Sequence, residues 1–126
     1  MARAEPLGIS KNDIFRLLTW ALTAALALVI LALTLSPRPI VLADFNQADK
    51  LYHLAAFAAL ILPTALWRPH RIAWTIAAGL ILSLGIEIIQ PHVGREGSAL
   101  DFLADALGLA LGAACGWLLR RLLARN

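Results

Sequence analysis

Four runs of apolar residues, separated by short polar segments, follow one another along the chain. They cover residues 17–35, 51–67, 72–90 and 99–119. The first run has nineteen residues without a charge, enough for an α-helix to cross a hydrocarbon core of about 30 Å. It is longer than the apolar core of a signal peptide, about 7–15 residues, so we expect an uncleaved span. The pattern predicts an all-α integral membrane four-helix bundle that forms a single domain over residues 1–126.

Composition favours a membrane protein over a soluble one. Of 126 residues, 60% are hydrophobic and 15% are charged, and a soluble domain of this size has too much surface to bury so much apolar side chain. The net charge of +3 would suggest a nucleic-acid partner in a soluble protein. Here the Lys and Arg residues flank the apolar runs, so we expect no nucleic-acid partner, and their placement indicates membrane topology instead.

The distribution of Lys and Arg predicts the orientation. The N-terminal segment, the second loop and the C-terminal tail together hold eight of them, including Arg3, whereas the first and third loops hold Arg38, Lys50 and Arg95. Because short cytoplasmic segments carry the excess of positive charge, both termini are predicted to be cytoplasmic. All four tryptophans fall near the predicted cytoplasmic interface of the membrane, which agrees with this orientation. They are Trp20, Trp67, Trp74 and Trp117.

Three glycines, Gly108, Gly112 and Gly116, lie four residues apart and so on one face of the fourth predicted helix. Small residues at this spacing let two helix backbones approach closely. Packing within the chain is the favoured interpretation, since four helices in one chain already need close contacts. A homo-oligomer through the same glycines is the alternative.

The acidic residues gather in the opposite, predicted outer, half of the bundle. Six of the eight lie there: Asp44, Asp49, Glu87, Glu96, Asp101 and Asp105. Other polar residues accompany them at similar depth, namely Lys50, His53, Gln90, His92, Arg95 and Ser98. Helical spacing of three or four residues places the members of each helix on one face. Three helices and one loop are therefore predicted to form a common polar site.

Glu87 and Asp105 are the acids that simple capping explains least. An ionised group within hydrocarbon costs about 2.5–3.5 kcal/mol at the helix centre, and Glu87 lies at the negative end of its helix dipole. We therefore expect both to face the bundle interior and to pair with Arg95, Lys50 or His53. Asp49 and Asp101 begin helices, where an N-terminal cap and a functional role are both open.

The spacing of these residues resembles the VanZ-like family of membrane proteins over about residues 36–119. The resemblance is carried by Asp49-Lys50-x-x-His53-x-x-x-Phe57, Glu87-x-x-Gln90, Arg95-x-x-Ser98-x-x-Asp101 and Gly108-x-x-x-Gly112. Members are small helical bacterial proteins, and the founding one is associated with resistance to the glycopeptide teicoplanin. The resemblance implies a multi-pass protein of the bacterial inner membrane with its polar site facing the periplasm or exterior. This chain has Asp105 where the family commonly has Asn.

The first functional hypothesis is recognition or modification of an anionic lipid or cell-wall precursor headgroup. Arg and Lys bind phosphate or carboxylate, and His or carboxylates transfer protons. Substrate binding is predicted for Lys50, Gln90, Arg95, Ser98, Asp49 and Asp105. Positioning of the cations or proton transfer, which would be the catalytic roles, is predicted for Glu87, His53 and Asp101. The sequence leaves open whether the protein is an enzyme, and we expect no cofactor.

Two other interpretations remain open. A metal-dependent intramembrane hydrolase could use His53, Glu87, Asp101 and Asp105 as ligands, although no H-E-x-x-H spacing supports it. Alternatively, the polar residues form an ion-pair clamp in a structural or partner-binding protein, since buried charges need partners in any case. Four short helices without repeat symmetry or a second polar layer argue against a monomeric transporter, and a pathway formed by an oligomer stays open.

Overall fold

A computed structural model describes residues 8–38 and 47–125 of the chain. Arg3 and Asp44, which entered the charge-based predictions, lie outside these ranges. The described part contains four α-helices and no strand: α1 Lys11–Thr34, α2 Ala48–Trp67, α3 Ile72–Ile89 and α4 Ala99–Leu123. Short 3-10 turns, Pro69–Arg71 and Gln90–Val93, precede and follow α3.

Each of the four helices is long and apolar enough to cross a membrane. Many large apolar side chains are exposed on the outside of the bundle, as they are where a protein faces lipid, with Trp74, Ile81 and Leu123 the most exposed of those within the helices. The prediction of an all-α bundle of four membrane helices is thus confirmed, and the helices indicate a multi-pass membrane protein.

The helix ends differ from the predicted runs by a few residues because polar caps extend them. The α1 helix begins at Lys11, since the Ser10 hydroxyl accepts a hydrogen bond from the Asp13 amide. The α4 helix begins at Ala99, where the Ser98 hydroxyl accepts from the Leu100 amide. Hydropathy placed the start of α4 correctly at residue 99. It placed the start of α1 six residues too late, at residue 17, because the residues in between include Lys11, Asp13 and Arg16.

The closest packing in the bundle is between α2 and α4. A Cβ added to Gly108 would collide with the Leu54 carbonyl, and one added to Gly112 would collide with the Ala58 carbonyl. Gly116 faces Ala65 in the same way. The predicted packing of these glycines within the chain is confirmed, and a homo-oligomer through them stays a prediction. The apolar core beside this contact consists of Ile30, Phe57, Leu60, Ile61, Ile86 and Leu109.

Hydrogen bonds and ion pairs connect the ends of all four helices at one end of the bundle, here called the polar end. Gln90 donates to the carbonyl of Thr34, and Lys50 pairs with Asp101. These contacts bring together the last turns of α1 and α3 and the first turns of α2 and α4. Residues 8 and 125, at the limits of the described chain, therefore both belong to the opposite end.

Candidate functional site

The most deeply buried part of the polar end is centred on Asp105, which has no exposed surface. Its Oδ1 lies 3.0 Å from Nδ1 of His53, on α2, and its Oδ2 accepts a 2.6 Å hydrogen bond from the hydroxyl of Ser83, on α3. Both carboxylate oxygens are thus bonded, and three helices meet at one side chain. The expected pairing of Asp105 with His53 is confirmed.

An ion pair between Lys50 and Asp101 lies beside this centre. Their Nζ and Oδ1 atoms are 3.6 Å apart, and Asp101 is buried while Lys50 is partly exposed. The cap of α4 is Ser98, so Asp101 is free of the capping role that the sequence left open for it. Asp101 therefore connects α4 to α2 by charge, from a buried position.

Glu87 contacts the loop before α4 instead of the cation that the sequence predicted. Its Oε2 accepts a short hydrogen bond from the backbone amide of Ser98. The loop reaches α3 because residue 97 is glycine: a Cβ there would lie 2.5 Å from the carbonyl oxygen of Glu87. The donor to Oε2 is therefore a backbone amide, which the spacing of side chains in the sequence could not reveal.

Three buried oxygens of the polar end form no hydrogen bond among the described residues. They are Oε1 of Glu87, Oε1 of Gln90 and Oδ1 of Asp101, the last with only the Lys50 ammonium at ion-pair distance. All three are hydrogen-bond acceptors when the carboxyl groups are ionised. The polar end therefore has acceptor capacity that the described chain leaves unused, and buried polar atoms of this kind usually have a partner.

Arg95 extends from the loop toward α1 and α2 and forms no ion pair with Glu87, for which it was one of the predicted partners. Its guanidinium donates to the carbonyls of Leu33 and Thr34, at 3.3 and 3.1 Å, and to Oδ1 of Asp49, also at 3.3 Å. The carbonyls at a helix end carry partial negative charge and lack intrahelical donors. Arg95 thus satisfies the end of α1 and the acid at the start of α2 together.

A groove of about 450 Å³ runs between α1 and α2 from the polar end. The walls of the groove are mostly apolar. Where the groove meets the polar end of the bundle, it is lined by the side chains of Asp49, His53 and Arg95. The apolar walls and the remaining lining residues are Leu26, Val29, Ile30, Leu33, Thr34, Tyr52, Ala55, Ala56, Phe57 and Ala59. One end of the groove is polar and the rest is apolar, so the groove suits an amphipathic ligand.

Two sets of three side chains could in principle hold a metal ion. One is Asp49, His53 and Asp101, and the other is His53, Glu87 and Asp105, with candidate ligand atoms within 4.8 Å of one another in each set. His53 belongs to both sets. In the second set His53 and Asp105 are already joined by their own hydrogen bond, so the contact needs no metal.

The structure brings together the residues that the sequence singled out, although the pairings differ from those expected. All of them lie at the polar end: Asp49, Lys50, His53, Glu87, Gln90, Arg95, Ser98, Asp101 and Asp105. Sequence reasoning missed Ser83, which donates to Asp105. One signal could have found it, because a serine four residues before Glu87 in an apolar helix lies on the same helix face.

The pattern of the whole chain matches a known family. The model of the family described as VanZ/LLP1 matches residues 6–120. Among curated proteins and solved structures, none matches the chain. The family match covers nearly all of the sequence, including every residue of the polar end, and the chain therefore belongs to the VanZ/LLP1 family.

Proposed function

We propose that the polar end binds the anionic headgroup of a membrane lipid or of a lipid-linked cell-wall precursor. The groove between α1 and α2 is the observation that carries the proposal, because it connects an apolar wall to Arg95, Asp49 and His53. A water-soluble ligand would gain nothing from the apolar walls. A lipid has a charged headgroup followed by an apolar chain, in the same order as the polar and apolar parts of the groove.

Arg95 is the expected contact for the phosphate or carboxylate. A guanidinium has five N–H donors in a planar fork that suits both anions. Three hydrogen bonds from it to the described chain leave it further donor capacity. Its partner Asp49 is half exposed, with 51% of its side-chain surface accessible, so this acid can turn aside when an anion approaches. Lys50, which is partly exposed and pairs with Asp101, adds a second positive charge to the polar end.

His53 and Asp105 support proton transfer at the bound headgroup. A carboxylate beside Nδ1 favours the tautomer that carries the proton there, which leaves Nε2 as an acceptor. A carboxylate also orients the ring, as in the catalytic pairs of many hydrolases. His53 lines the groove while its Nδ1 is bonded behind it. This arrangement would allow modification of a headgroup as well as recognition.

The test of headgroup binding removes the charge of Arg95. The Arg95→Gln variant in detergent should bind dihexanoyl phosphatidylglycerol at least tenfold more weakly by calorimetry, since a charge-assisted hydrogen bond contributes about 1.5–3 kcal/mol. Arg120→Gln, at the opposite end of the bundle, is the matched control and should bind like the parent protein. Unchanged affinity of a well-folded Arg95→Gln variant would rule out the proposal.

The envelope role implied by the family is tested in cells. Expression of the protein in a teicoplanin-susceptible host should raise the inhibitory concentration of teicoplanin. Arg95→Gln and Glu87→Gln should abolish that increase at equal membrane abundance. If both variants protect as well as the parent, the polar end has no part in glycopeptide resistance.

A structural clamp is the second candidate function, and the triple contact of Asp105 with α2, α3 and α4 favours it. A pure clamp predicts that every polar-end variant loses stability and that none has a separate loss of binding. Arg95 discriminates between the two, because it lines the groove and Asp105 does not. Loss of lipid binding by an Arg95→Gln variant that stays folded at the temperature of the binding assay supports the headgroup site over the clamp.

A further inference from the structure

We propose that the groove between α1 and α2 holds one acyl chain of a lipid from the leaflet that the polar end faces. The inference rests on the proposed headgroup site and specifies its ligand class as a membrane lipid with an extended chain. A free headgroup or a soluble precursor would then be a poor ligand.

The length of the groove matches one leaflet. On α1 it extends from Leu26 to Thr34, eight residue steps, or about 12 Å at 1.5 Å rise per residue. On α2 it extends from Asp49 to Ala59, ten steps, or about 15 Å. Half of a hydrocarbon core of about 30 Å is about 15 Å. The groove therefore begins at the polar end and stops near the middle of the bilayer.

The groove lining changes from polar to apolar along that length, as a lipid does from headgroup to acyl chain. Arg95, Asp49, Thr34 and His53 lie at the polar end, and the deeper part has aliphatic and aromatic side chains only. The floor is fixed, because Phe57 and Ile30 belong to the buried core. Small side chains at positions 55, 56 and 59, all alanine, leave the space open.

The weak attachment of α1 explains why the space is there. The α1 helix packs mainly on α2, whereas α2 packs far more extensively on α4. At the polar end α1 is held by bonds from Gln90 and Arg95 to its terminal carbonyls. Arg95 thus links the two helices at the headgroup level, and the groove lies below this link, where the chain would lie.

The experiment uses the full protein in phosphatidylcholine nanodiscs with a small fraction of phosphatidylglycerol that carries a diazirine near the middle of one chain. After illumination, mass spectrometry of the peptides should find label on groove residues such as Leu26 and Ala59 in excess over other lipid-facing residues. Unlabelled phosphatidylglycerol should compete, and glycerol phosphate at the same concentration should not.

Variants fill the groove from either wall. Ala55→Trp and Val29→Trp replace exposed side chains, so the core stays intact, and each should lower the groove label at least fivefold. Ala110→Trp is the matched control: an exposed alanine of α4 outside the groove, at which the substitution should leave the label unchanged. Label spread evenly over all lipid-facing residues, or equal in Ala55→Trp and the parent, would overturn the inference.

Two further outcomes separate this inference from the proposed function. If phosphatidylglycerol binding depends on Arg95 but the chain label avoids the groove, the acyl-chain site is wrong and the headgroup site stands. If Ala55→Trp instead changes the oligomeric state, measured by mass photometry, a second copy occupies the groove and the inference is again wrong.

Discussion

Asp105 shows what a single residue does in this bundle. It is completely buried, and its two oxygens contact a histidine of α2 and a serine of α3. The sequence predicted a cationic partner for Asp105 and named His53 as one of three candidates, with Arg95 and Lys50. It did not predict Ser83, since a neutral hydroxyl in a long apolar run gives no charge signal.

Replacing Asp105 should separate the charge from the hydrogen bond. Removing one member of a buried pair typically costs about 3–5 kcal/mol, so Asp105→Leu should lower the free energy of unfolding by about that amount. Asp105→Asn, the residue that the VanZ-like pattern commonly has there, keeps an acceptor and a donor and should cost about 1–2 kcal/mol.

The measurement is reversible unfolding in mixed detergent micelles. Glu96→Gln is the control, since Glu96 is exposed in the loop and its change should be within about 0.5 kcal/mol. Equal losses for Asp105→Asn and Asp105→Leu would contradict the separation, because they would show that the hydrogen bonds contribute nothing without the charge.

At the scale of helices, hydropathy predicted every element, and the errors lie at the ends. The start of α1 at Lys11, capped by the Ser10 hydroxyl, precedes the predicted run by six residues, and α4 continues past its predicted run to Leu123. The start of α4 at Ala99 agrees with the prediction. The glycine spacing also predicted a close helix contact correctly. It could not identify α2 as the partner, because a face of small residues carries no information about the backbone that approaches it.

Gly108 tests that contact directly. Gly108→Ala places a methyl group against the Leu54 carbonyl and 3.1 Å from the Ala58 nitrogen, so the helices must move apart, at a cost of about 1–3 kcal/mol. Gly85→Ala is the matched control, since nothing lies within 4 Å of the added Cβ. It should stabilise the protein by about 0.5–1 kcal/mol, the usual gain of replacing glycine within a helix.

Thermal unfolding of both variants in detergent measures the difference. The expected order of melting temperatures is Gly85→Ala, parent, Gly108→Ala. A Gly108→Ala variant as stable as the parent would show that α4 packs on α2 with more freedom than its geometry indicates.

At the scale of the whole molecule, the convergence of polar residues at one end was predictable and the pairing was not. The position of each residue along its helix follows from the rise of 1.5 Å per residue. On this basis the sequence predicted that the nine candidate residues lie at the same end of the bundle. Pairing depends on how helices rotate and on where loops run. Arg95 therefore contacts Asp49 and α1, and a backbone amide contacts Glu87, where spacing predicted a cation.

The predicted topology can be tested with cysteines at the two ends of the bundle. In a Cys115→Ala background, His92→Cys lies in an exposed loop of the polar end and His70→Cys in an exposed turn of the opposite end. Because the excess of Lys and Arg predicts cytoplasmic termini, we expect a membrane-impermeant maleimide to label His92→Cys in intact cells. His70→Cys should react only after the membrane is permeabilised, and the reverse pattern would invert the topology.

Arg95 would also couple the proposed headgroup binding to the seating of the first helix. The guanidinium that would offer its remaining N–H groups to an anion already donates to the last carbonyls of α1. Any ligand that draws the guanidinium away weakens these hydrogen bonds, and by thermodynamic reciprocity stronger hydrogen bonds lower affinity for the ligand by the same factor. The first helix would then report, through the solvent accessibility of its last turn, whether the proposed headgroup site is occupied.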